Sequence, residues 1–109
     1  MNNTVDELTV DYEEEGILKV KQLAKEILTK GAWATVMYSY QDWNPEDDTY
    51  GSVKYTIRRY RKSGGTYRQQ SKFNISSKTQ ARHIITTLER WLAEDGEDDA
   101  PDDISGGDD

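Results

Sequence analysis

Nine bases lie between residues 51 and 82, namely Lys54, Arg58, Arg59, Arg61, Lys62, Arg68, Lys72, Lys78 and Arg82, and that stretch holds no Asp or Glu. A sheet face that only had to be soluble would interleave both signs, because like charges opposite one another cost stability and opposite charges return some of it. A one-signed run of this length points to a polyanion that offsets the repulsion, and polyphosphate is the obvious candidate. Tyrosines sit among the bases: Tyr60 shares the alternation of Lys54 and Arg58, and Tyr67 opens the next apolar-polar run. An exposed ring beside arginines offers a surface on which an unpaired base can stack, and duplex bases cannot use it. The expected nucleic-acid-binding residues are therefore Lys54, Arg58, Tyr60, Lys62, Tyr67, Arg68, Gln70 and Lys72.

Catalysis lacks its parts. The chain has one histidine, His83, and no cysteine, so disulfides, thiolate metal sites and a cysteine nucleophile are excluded. His83 falls on the side of the last helical pattern away from Ile84, Ile85 and Leu88, as a solvent-facing residue would. The sequence contains no nucleophile-base pair, no metal-ligand spacing and no phosphate-cradling glycine loop leading into a helix. Asp47, Asp48, Asp98, Asp99, Asp102 and Asp103 do not fit a calcium loop. No enzyme activity, cofactor, metal or small-molecule substrate is expected.

The elements that would carry the bases follow from periodicity. Val20, Leu23, Ala24 and Ile27 recur at i, i+3, i+4 and i+7, which suits a helix over 17–30, with a strand over about 17–23 as the competing reading. Residues 33–43 are aromatic and β-branched and read as a strand, with either Tyr38 and Tyr40 or Trp33 and Met37 facing outward. Asn44-Pro45-Glu46-Asp47-Asp48 makes a turn. In 52–62, Val53, Tyr55 and Ile57 alternate with Lys54, Thr56, Arg58 and Tyr60, which predicts a core face and a basic face. Ser63-Gly64-Gly65 suits a hairpin, and 66–75 forms the next strand, with Phe73 and Ile75 inward and Arg68, Gln70, Lys72 and Asn74 outward. Ser77 and Gln80 make a capping box ahead of an apolar stripe of Ala81, Ile84, Ile85, Leu88, Trp91 and Leu92. The expected fold is a small α+β domain: an antiparallel β-meander of three or four strands followed by one amphipathic C-terminal helix.

Charge divides the chain into three. Residues 1–16 carry six acids and no base and residues 94–109 nine acids and no base, so both read as acidic disordered tails flanking a nucleic-acid-binding domain over 17–93. The net charge of −7 therefore hides a basic domain, and the C-terminal acids would compete with nucleic acid for it. A domain this small, with few aliphatic residues, gains from a second copy, so a homodimer is expected. No leader or membrane-spanning apolar run is evident, which gives a cytoplasmic, nucleoid-associated expectation with no membrane partner.

The order of elements over about 17–92, a β-meander with basic and aromatic outward positions ending in Arg68-Gln69-Gln70-Ser71-Lys72-Phe73-Asn74-Ile75 and one helix, resembles the positive-cofactor-four family of single-stranded DNA-binding transcriptional coactivators. That resemblance implies a curled sheet, a strand at 17–30, pairing of two subunits through their helices with Trp91 near the contact, and Arg58, Tyr60, Arg68 and Lys72 on the bound strand. It also implies an accessory role in transcription or replication. With a helix at 17–30 the order is similar instead to a double-stranded RNA-binding domain, Lys78 and Arg82 then gripping phosphates. A third resemblance is to the three-strand-plus-helix arm-site domain of phage integrases, which reads duplex DNA. The alternative outside nucleic acid is an interaction domain whose basic face docks an acidic protein.

Overall fold

The structure, a computed structural model, describes residues 4–95. Its frame is an antiparallel sheet that curls into a half-barrel, followed by one C-terminal helix. The strands are β1 (Tyr12–Glu14), β2 (Ile17–Thr29), β3 (Trp33–Asn44), β4 (Thr49–Tyr50), β5 (Lys54–Ser63) and β6 (Thr66–Ile75), and the helix is α1 (Lys78–Asp95). They lie in the order β1-β2-β3-β5-β6, with the short β4 paired beside β3 and with β6 at an open edge.

β2 corrects the helical expectation for 17–30. In a regular strand Val20 and Ile27, seven positions apart, would face opposite ways. The pairing with β3 slips between Gln22 and Ala24, so Leu23 bulges out, and Val20, Gln22, Lys25 and Ile27 then lie opposite Asp42, Tyr40, Tyr38 and Val36 on one face. One bulge thus reproduces over a strand the seven-residue spacing that a helix would show. Pairing along nearly the whole of β3 outweighs the local preference.

The N-terminal segment packs on one side of the sheet, and α1 lies over part of the other. On the first side Ala34, Val36, Tyr38, Tyr40, Tyr60 and Tyr67 form a core with Val5, Leu8 and Val10 of the N-terminal segment. Residues 4–11, which the charge pattern assigns to a disordered tail, are instead a strap over this face. A short 3-10 turn at Val5–Glu7 aims its apolar residues inward, while Asp6 and Glu7 stay exposed. Lys25 ties it down: its Nζ donates to the carbonyls of Val5 (2.6 Å), Asp6 (3.1 Å) and Leu8 (2.8 Å). Burial pushes the Lys25 pKa down, partly offset by Asp6. The expected C-terminal tail, 94–109, lies outside the described residues from 96 onward.

On the second side α1 begins as the capping box requires, with the Gln80 amide donating to Ser77 Oγ at 3.1 Å. The Gln80 side chain returns to the amide of Ser76 (3.2 Å), one residue before the expected position. The helix contacts the sheet along β6. Between it and the sheet runs an apolar groove of about 530 Å³, lined by Met37, Tyr55, Ile57 and Ile75 below and by Ala81, Ile84 and Leu88 above. Ile75 is buried as expected, but Phe73 is half exposed beside the helix.

Within the strap-covered core the hydroxyls of Tyr38 and Tyr60 share a hydrogen bond of 3.0 Å. Burial first, and then this bond, push the Tyr38 pKa up from its usual 10.0. A raised folded-state pKa contributes stability that is complete below about pH 10 and is lost as pH climbs further, because the unfolded chain releases the proton while the folded chain must keep it. The melting temperature is expected to fall from about pH 10 upward. Tyr38→Phe should melt lower at neutral pH, since it strands the Tyr60 hydroxyl, yet decline less steeply in alkali. Parallel alkaline slopes for the two proteins would show that Tyr38 is not the group responsible.

Candidate nucleic-acid interface

β5 and β6 form a two-stranded ribbon that carries most of the bases. Its tight turn is made by Gly64 and Gly65, both at positive φ (63° and 84°), where any side chain would be strained. The register places Arg58 opposite Lys72, Arg61 opposite Arg68 and Lys62 opposite Tyr67. A slip between Arg59 and Tyr60 leaves Gln70 without an opposite residue. Every residue of β6 from Arg68 to Asn74 is exposed.

The expected site residues separate into three groups. Arg58, Lys62 and Lys72 lie on the strap side of the ribbon beyond the strap, and Arg68 lies on the helix side opposite Arg61. Arg58 is oriented from within the sheet, its Nε 3.4 Å from Thr56 Oγ1 and its terminal nitrogen 3.1 Å from Gln69 Oε1. Gln70 donates to the Arg68 carbonyl at 3.2 Å. Lys54 is engaged with Asp42 at 3.0 Å, and that hydrogen bond and charge push its pKa up. It is therefore partly neutralised within the fold.

Tyr60 and Tyr67 depart from the expectation of exposed stacking rings. They are 5% and 7% exposed, and both belong to the core under the strap. Tyr60 does share a face with Arg58 and Lys54, as alternation requires, but that face is roofed over its middle by Val5, Leu8 and Val10. Tyr67 is pinned further by its hydroxyl, which donates to the Gly31 carbonyl. Tyr38 and Tyr40 are buried on the same side, so of the two open alternatives for β3 it is Trp33 and Met37 that face away from this core.

The helix side changes character along its length. Near α1 it is apolar, with Met37, Tyr55 and Ile57. Toward the hairpin it becomes basic and aromatic: Arg59 lies over the Trp33 ring with its guanidinium carbon 4.5 Å from the centroid, and Arg61 approaches the same ring at 5.5 Å. Arg68 stands across from Arg61. Arg59 and Arg61 belong to the basic run but not to the expected set, and their parity with Tyr55 and Ile57 is what hid them. A second cation-ring pair, Lys62 over Tyr67 at 5.5 Å, lies on the opposite side.

No family model, curated protein or solved structure matches this chain. Among the described residues no cluster of three or more His, Cys, Asp and Glu could hold a metal ion, and no helix is long and apolar enough to cross a membrane.

Proposed function

We propose that the chain binds single-stranded nucleic acid along the β5–β6 ribbon, using Arg58, Lys62, Arg68, Gln70 and Lys72 with Arg61. The observation that carries this reading is the direct opposition of Arg58 to Lys72 and of Arg61 to Arg68 on adjacent strands. Like charges so placed repel, and phosphates between them turn the repulsion into attraction. The bases occupy both sides of a ribbon with one open edge, so a flexible strand can follow them around that edge, whereas a stiff duplex reaches one side. The test is a titration of the full chain with single-stranded DNA, duplex DNA and duplex RNA of equal length. Tighter binding of the single strand is expected; a preference for either duplex would overturn the choice of ligand.

The chain acts, in this reading, as a homodimer. Ile85 and Leu88 line the apolar groove yet stay about half exposed, and Trp91 and Leu92, one turn further along α1, are 58% and 63% exposed. Protruding apolar helix and apolar groove are adjacent on one face. A two-fold pairing therefore fills each copy's groove with the other's helix and covers both surfaces at once. Trp91→Glu is expected to halve the mass seen by sedimentation equilibrium. A wild-type chain that sediments as a monomer at all concentrations would contradict the pairing.

A further inference from the structure

Resting on that reading of the ribbon, we propose that Trp33 is the residue on which a nucleobase stacks, and that Arg59 and Arg61 hold its indole in place while drawing in the adjoining phosphates. The ring is not part of the core under the strap and does not line the groove under α1. As the first residue of β3, it sits at the hairpin end of the helix side, directly opposite Arg61 in register and two pairs along from Arg59, on the same face. Two guanidinium carbons, of Arg59 and Arg61, lie 4.5 and 5.5 Å from its centroid. It is half-buried, not sealed within the core.

A half-buried indole flanked by arginines and outside both apolar clusters suits a platform better than a core. An arginine plane and an indole together present an extended π surface, and each base has a flat face to lay on it whatever its sequence. The exposed Arg68 across from Arg61 adds a cation beside that surface. Tyr60 and Tyr67 are shut away under the strap, whereas Trp33, on β3 beside the ribbon, is flanked by Arg59 and Arg61 on the side the strap does not roof. The tryptophan thereby supplies what the phosphate contacts cannot, a preference for polyanions that carry unpaired bases.

The test uses the full chain with two probes, oligothymidylate and inorganic polyphosphate, and three variants, Trp33→Phe, Trp33→Leu and Trp33→Ala. Trp33→Leu keeps apolar volume but removes the π surface, so it decides the matter should Trp33→Ala melt too low to assay. Oligothymidylate affinity is expected to fall about 10- to 100-fold in the leucine and alanine variants and only a few-fold in the phenylalanine variant. Polyphosphate affinity and the salt slope should stay at wild-type values. Unchanged oligothymidylate binding, or an equal loss for both probes, would overturn the stacking role. Arg58→Ala separates the two levels of the account: if it weakens both probes while the Trp33 variants do not discriminate, the charged ribbon stands and the platform falls. If the wild type binds neither probe, both fall.

Discussion

Replacing Tyr60 by alanine is expected to cost the fold about 3–5 kcal/mol, the range for deleting a buried aromatic side chain. The ring is 5% exposed and packs in the cluster of Tyr38, Tyr67 and the strap residues Val5, Leu8 and Val10. Small domains have about 5 kcal/mol or a little more in total, so the variant should be largely unfolded at 37 °C. Tyr60→Phe keeps the packing and removes only the hydrogen bond to Tyr38, leaving that hydroxyl unpaired in the interior, for about 1–3 kcal/mol. Urea denaturation followed by circular dichroism reads both changes. An alanine variant with a wild-type midpoint and a selective loss of nucleic-acid binding would mean that the ring is on the surface and the strap is not.

The second large effect concerns binding alone. Changing Arg58, Arg68 and Lys72 together to alanine removes the half-buried cation of β5 and two exposed ones of the edge strand β6, none of which belongs to the strap core or lines the groove. If each neutralises one phosphate, the slope of log K against log salt should become shallower by about 2, which corresponds to an affinity loss on the order of 100-fold at 0.1 M salt. Folding stability should hold or rise, since Arg58 and Lys72 face one another directly. A triple variant that binds as tightly as wild type with the same slope would remove the β5–β6 ribbon from the account.

The parts of the fold that were legible are those set by neighbours in the chain. Gly64-Gly65 needs only its own backbone freedom to make the hairpin, and Ser77 with Gln80 needs only the first turn of α1. β2 was not legible in this way, because the slip at Leu23 that puts Val20 and Ile27 on one face is imposed by the partner strand β3. The strap was hidden for a different reason. Val5, Leu8 and Val10 are three apolar residues spaced among acids, and their value appears only once a sheet face lies beneath them.

That roof decides the candidate site. Alternation along 54–60 correctly put Lys54, Arg58 and Tyr60 on one face, but alternation says which residues share a face and not which face is covered. Because both faces of the sheet are partly covered, Thr56 and Tyr60 are buried on one side while Tyr55 and Ile57 are half-buried on the other. The strand therefore lacks a wholly polar side, and its bases reach solvent around the rims. Trp33 was an open alternative in the sequence, and the register of β3 with β5, pairing it with Arg61, turns it toward the basic half of the helix side.

The most direct test of the central claim is the affinity of the full chain for single-stranded DNA, followed by tryptophan fluorescence across a range of salt concentrations. With about five phosphates neutralised, log K should fall against log salt with a slope of roughly −3.5. A slope near zero, or no saturable binding at low salt, would contradict the proposal that this ribbon is a nucleic-acid interface.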